Sequence, residues 1–150
     1  MSELKIGDNA PDFSAETTEG TVRLKDYRGK NLVVYFYVRD QTPGCTMQSC
    51  SLRDGIDRIK EQEAEVLGIS VDDLESHKKF KEKENLNFPL LADTDYSVSK
   101  AFGAFSEERQ MSKRMTFIID KNGIIQHIFP NVDVRAHAEE VAEALKAMKK

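Results

Sequence analysis

The sequence predicts an α/β fold, a central mixed β-sheet flanked by helices with an N-terminal β-hairpin extension. Three observations carry this. Apolar, β-branched runs alternate with stretches of helical periodicity, the pattern of parallel strands joined by helical crossovers. Lys121-Asn122-Gly123 separates two apolar runs, the strongest short-range signal for an antiparallel hairpin. The 150 residues, 39% hydrophobic and 32% charged, suit one domain over residues 1–150, with no repeat, low-complexity tract or linker to divide it.

In chain order, the first 25 residues contain Gly and Thr and are expected to form a hairpin outside the core motif. Residues 31–37 (NLVVYFY) form a continuous apolar run, as expected of a strand buried on both faces. TPGC breaks the run. Leu52, Ile56 and Ile59 then recur at helical spacing and predict a helix over 44–62. Residues 65–71 (EVLGISV) read as a second buried strand, and 72–84 as a charged helix capped by Asp72 or Asp73, with a solvated face over 78–84. Residues 88–91 are a short extended segment or turn. Residues 97–102 form a short helix closed by Gly103. The hairpin strands are 115–120 and 124–129. The last helix covers 134–149, with Val134, Ala138, Val141 and Leu145 on one face. This order is that of a thioredoxin-like fold.

A net charge of −4, with both signs mixed along the chain, excludes the basic stripe of a nucleic-acid binder and the basic amphipathic segment of a membrane-surface protein. The start, MSELKIGDNAPDF, has no continuous apolar run and is not read as a signal peptide. No apolar stretch is long enough to span a bilayer. The expected compartment is therefore the cytoplasm, where thiols are kept reduced. There, two cysteines are either inert core residues or redox chemistry.

The informative stretch runs from Thr42 through Pro43, Gly44 and Cys45 to Cys50, where a buried strand passes into a helix. Cys45 is expected in the first helical turn, where backbone N–H groups lack intrahelical partners and the macrodipole favours negative charge. Both effects favour a thiolate, and the same N–H groups can hold a bound oxygen anion. Pro43 removes a competing donor, and Gly44 lets a substrate approach the backbone. The Thr42 hydroxyl can accept from one group and donate to another, so it could orient a bound substrate and bond the thiolate together. Arg114, just before a strand, can be delivered to Cys45 by a neighbouring position in the sheet. Cys50 lies five residues on. An intact helix would hold the two Cα atoms roughly 8–9 Å apart, beyond the about 7 Å limit for a disulfide. A bond between them requires the helix to unwind, which Ser49, Ser51 and Gly55 make less costly.

TPGCT followed by a second cysteine, after a VVYFY strand, resembles the peroxiredoxins, specifically the bacterioferritin comigratory protein (PrxQ) subgroup. The likeness extends over nearly the whole chain. It includes Gly7, Ala10, Pro11, Asp12 and Phe13, then residues 26–30 (DYRGK), Leu52-Arg53-Asp54, VLGISVD, FPLLAD, Arg114 with TFIID, and HAEEVAEAL. The resemblance implies a thiol peroxidase acting on hydrogen peroxide and organic hydroperoxides. Cys45 would become a sulfenic acid, Cys50 would condense with it to a disulfide, and a thioredoxin-like reductant would restore the dithiol. It places the family's threonine and arginine on Thr42 and Arg114. Pro43, Gly44 and Tyr37 are expected to line the substrate. The expected state is a monomer, or at most a weak dimer. Three positions depart from the pattern. Val38 stands where the family has a thiolate-shielding proline, Gln48 stands where Glu is frequent, and the segment 103–113 is shorter than in the subgroup.

Blander readings stand beside these. Cys45 and Cys50 could be inert buried thiols, Arg114 a surface ion-pair residue, and Thr42 a plain helix cap. Phe36, Tyr37, Phe102 and Phe105 fit core or pocket wall better than a cofactor box. His77, His127 and His137 match no zinc spacing, so no metal or cofactor is expected. A general dithiol–disulfide oxidoreductase and a chaperone or redox-sensing protein are the competing functions. The five-residue spacing and Thr42 argue against the oxidoreductase.

Overall fold

The structure is a computed structural model and describes residues 4–148. Its strands are β1 (Ser14–Thr17), β2 (Gly20–Arg23), β3 (Asn31–Phe36), β4 (Ala64–Ser70), β5 (Leu90–Ala92), β6 (Phe105–Ser106), β7 (Met111–Ser112), β8 (Met115–Ile119) and β9 (Ile125–Phe129). The helices are α1 (Pro43–Asp54), α2 (Ile56–Glu61), α3 (Leu74–Lys83), α4 (Ser97–Ala101) and α5 (His137–Met148). One mixed sheet runs β2-β1-β5-β4-β3-β8-β9. β3, β4 and β5 are parallel, and β8 and β9 continue the sheet antiparallel. This is the thioredoxin-like arrangement.

Every residue of β3 is buried because apolar groups cover both faces of the sheet. Val33 and Tyr35 pack with α1, α2, α3 and α5 through Leu52, Ile59, Phe80 and Val141. Val34 and Phe36 pack on the other face with Phe13, Val98, Phe102 and Phe117. Each fully buried Leu, Ile or Phe contributes about 1.5–3 kcal/mol.

Two helices differ from the sequence expectation. The helix predicted over 44–62 starts at Pro43 and breaks at Gly55, whose ψ of 11° leaves the helical range. Glycine is a poor helix former, and Ala138 of α5 packs where a Gly55 side chain would stand. The last helix begins at His137, not at 134. The Asp133 carboxylate accepts the Arg135 N–H at 3.0 Å, and this local turn competes with helix. The N-terminal hairpin forms as expected from β1 and β2, and it joins the main sheet through Thr17 and Leu91. The segment 103–113 folds into the small β6–β7 hairpin, two residues a strand and too short to show a period.

Two features of the topology position the site. β3 ends in a loop that feeds the N-terminus of α1. β8 runs antiparallel beside β3, with Met115 opposite Phe36, so the residue before β8 lies at the carboxyl end of β3. That residue is Arg114.

Candidate active site

The site forms where β3 passes into α1. Thr42 has the extended backbone of an N-cap and Pro43 is the first helical residue, a position that tolerates a missing N–H. The first helical bond runs from the Thr46 N–H to the Thr42 carbonyl at 2.8 Å. The N–H groups of Gly44 and Cys45 precede it and point out of the helix end. Cys45 is fully buried, and its sulfur receives a hydrogen bond from Arg114 Nη2 at 3.3 Å. The other arm of the guanidinium, Nη1, donates to Gln48 Oε1 at 2.7 Å. A Cβ on Gly44 would lie 3.2 Å from Nη2, so the bare backbone of Gly44 makes room for the arginine. Gln48 is itself buried, and its Nε2 has no partner among the described residues.

The Thr42 hydroxyl donates to the Arg39 carbonyl at 2.9 Å. Its hydrogen is therefore not on Cys45, contrary to the expectation of a bond to the thiolate, and its lone pairs are what it offers a peroxide. Tyr37 departs further from its expected place against substrate. Its ring packs in the same buried cluster as Cys45 and stacks on Tyr35 at 5.4 Å between centroids. Its hydroxyl turns away and donates to Asp40 Oδ1 at 2.5 Å. Val38, at the proline position, packs against the Cys45 cluster.

Cys50 is on the same helix with a different neighbourhood. It is half-buried, and its thiol donates to Glu84 Oε1 at 3.5 Å. Burial pushes the Cys50 thiol up, Arg53 pulls it down, and Glu84 raises it through its hydrogen bond and charge. Both cysteines are free, and α1 is unbroken between them.

Sequence reasoning missed a buried polar cluster behind the site. Asp40, Asp72 and His77 bring one possible metal-ligand atom each within 4.8 Å of one another. Those atoms are already used in hydrogen bonds. Asp72 Oδ2 accepts the Asp40 N–H and the Ser70 hydroxyl at 2.8 and 2.7 Å, and His77 Nδ1 meets Asp40 Oδ2 at 2.7 Å. The only sequence signal was the helical spacing of His77 and Phe80, the two buried residues of α3.

Known proteins resemble this chain over nearly its whole length. The AhpC/TSA family matches residues 6–128. Peroxiredoxin Bcp of Escherichia coli (strain K12) is 43% identical, over 97% of this chain and 98% of its own length. A crystal structure of Xylella fastidiosa PrxQ superposes with a TM-score of 0.92 at 31% identity, covering 100% of both chains. Structures of the Xanthomonas campestris bacterioferritin comigratory protein, described by its alkyl peroxide reduction activity, give a TM-score of 0.87 at 30% identity over 92% of each chain. The chain belongs to the AhpC/TSA family, within its Bcp/PrxQ peroxiredoxins.

Proposed function

We propose that this thiol-dependent peroxidase uses Cys45 as the attacking thiolate and Cys50 as its resolving partner. The observation that carries the reading is the Arg114 guanidinium 3.3 Å from a buried sulfur at a helix start. A fixed cation and free N–H groups favour thiolate over thiol. The same donors meet the negative charge that develops on the peroxide oxygens as the O–O bond breaks. The Cys45 sulfur forms an S–O bond with one oxygen, and the other leaves as alkoxide or hydroxide and takes a proton. Thr42 accepts from the bound peroxide and so orients it.

Cys50 then attacks the Cys45 sulfenic acid, an S–S bond forms, and the hydroxyl leaves as water. α1 must open first. Opening breaks the Tyr35–Ser49 contact (2.8 Å) and the Arg114–Gln48 bond. The C-terminal part of α1 is better anchored. The Ser51 hydroxyl accepts from the Ala138 N–H at 3.2 Å, and Arg53 Nη1 donates to the Glu84 carbonyl at 2.5 Å. These anchors support unwinding confined to residues 45–50. A thioredoxin-type dithiol then reduces the disulfide by exchange, regenerating both thiols. Hydrogen peroxide and alkyl hydroperoxides are the proposed substrates. A monomer acting in the cytoplasm is the proposed setting, and no helix among the described residues is long and apolar enough to cross a membrane.

The test is peroxide consumption with a dithiol reductant, by the native chain and by Cys45→Ser. The native chain should turn over, form a Cys45–Cys50 disulfide by peptide mapping, and lose far-UV helicity on oxidation. Turnover that survives Cys45→Ser removes Cys45 from the chemistry. A free Cys50 in the fully oxidised protein removes its resolving role.

A further inference from the structure

We propose that the buried Asp40–His77 pair is the positioning device of the peroxide site, fixing the loop 38–42 in place of the family's missing proline. The inference rests on Cys45 being the attacking group. Asp40 lies in the loop between β3 and α1, five residues before Cys45. Its side chain and that of His77 are 2% and 0% exposed. The Asp40 carboxylate accepts from Tyr37 just after β3 and from the Ser76 hydroxyl at 2.8 Å, and its Oδ2 shares a hydrogen bond with His77 Nδ1 of α3. Its backbone N–H is held by Asp72 at 2.8 Å. His77 is fixed at both nitrogens, because Nε2 meets the Leu91 carbonyl of β5 at 2.9 Å. A carbonyl only accepts, so Nε2 carries a hydrogen. One more proton lies between Nδ1 and Asp40 Oδ2, and the pair is net neutral wherever that proton sits. A buried polar cluster this fully satisfied is rigid.

What it holds is strained. Gln41, the next residue, has a φ of 61°, a left-handed conformation that a non-glycine residue keeps only when its surroundings impose it. Thr42 follows, and its hydroxyl bonds back to the Arg39 carbonyl across the same turn. Anchoring Asp40 therefore fixes the turn that sets the Thr42 hydroxyl and the start of α1. A proline seven positions before Cys45 would stiffen this loop by locking its own φ. Val38 cannot, and the clasp from α3 and β5 restrains the loop instead. Neither Asp40 nor His77 touches substrate.

The test replaces the pair by apolar groups, because removing one partner alone strands a buried charge, whereas a well-packed apolar pair is tolerated. Asp40→Ala/His77→Leu should keep its far-UV spectrum, with a lowered thermal midpoint because Tyr37, Ser76 and the Leu91 carbonyl lose their partners. Its second-order rate of Cys45 oxidation in stopped flow should fall about tenfold to a hundredfold, as expected for a small misplacement of the reacting groups. Asp40→Asn keeps the Oδ1 acceptor for Tyr37 and reverses the bonds to Ser76 and His77 Nδ1, which its amide nitrogen can donate, so it should retain the native rate. Val38→Pro in the double-variant background should recover most of the loss. A folded double variant reacting at the native rate overturns the proposal, as does a failure of Val38→Pro to recover it. Val38→Pro alone needs no folded double variant and should leave the native rate unchanged, because the loop is already held. An acceleration of about tenfold would show that the clasp does not hold it. An inactive native chain would instead overturn the peroxidase reading itself.

Discussion

Cys45 and Cys50 share one helix and have opposite partners. Cys45 sits in the first turn, fully buried, with a guanidinium at 3.3 Å. Cys50 sits later in the helix, half-buried, with a carboxylate at 3.5 Å. Arg114 and a helix N-terminus put positive charge beside Cys45, while Glu84 puts negative charge beside Cys50, whose thiol is pushed up by burial and by that carboxylate. On the proposed reading this contrast divides the roles: Cys45 attacks, and Cys50 resolves once the helix opens. On that reading the intact helix also sets the order of events. Cys50 is held away from Cys45 by an intact helix, and its thiol is engaged by Glu84.

The largest expected effect removes the cation. Arg114→Met takes away the donor to Cys45 and leaves Gln48 Oε1 without its partner. The second-order rate of Cys45 oxidation should fall about a hundredfold to a thousandfold, the usual loss for a donor aimed at developing charge. The rate is read by stopped flow with limiting peroxide. A native rate in this variant would erase the difference between the two cysteines.

Cys50→Ser isolates the other side of the comparison. Oxidation of Cys45 should keep its native rate, because Cys50 contacts none of the groups around that sulfur. Turnover with a dithiol reductant should slow, and excess peroxide should carry the long-lived sulfenic acid on to the sulfinic acid, visible by intact mass. Native turnover with no sulfinic product would show that Cys50 is not the resolving group.

The parts of this comparison differ in how far the sequence exposes them. Cys45 at a helix start, the buried strand before it and the Asn122-Gly123 hairpin are local patterns, and each is legible within a few residues. Arg114 was reachable because placing its strand next to β3 follows from the topology. Glu84 and the Asp40–His77 pair were not. Their partners lie 34 and 37 positions apart. A lone Asp in a loop reads as a turn residue, and a His or Glu on a charged helix reads as solvated surface. The break at Gly55 was invisible for a related reason. A glycine inside a helical period is tolerated, and only the approach of Ala138 from α5 makes it the end of the helix.

The smallest expected effect tests Glu84. Burial is the larger cause of the raised Cys50 thiol, so removing the carboxylate corrects only part of the shift. The sign is nevertheless fixed. A negative neighbour disfavours the thiolate, and its hydrogen bond is made to the thiol, so Glu84→Gln lowers the Cys50 pKa. Disulfide formation after a single peroxide pulse depends on the thiolate fraction and should rise with pH, because Cys50 starts as thiol. In Glu84→Gln that profile moves to lower pH, and disulfide formation at neutral pH quickens. The Cys45 oxidation rate stays put, because Glu84 does not reach that sulfur. An unmoved pH profile would mean that helix opening, not the protonation of Cys50, limits resolution. A profile moved for both cysteines alike would mean that the two sites are electrostatically one.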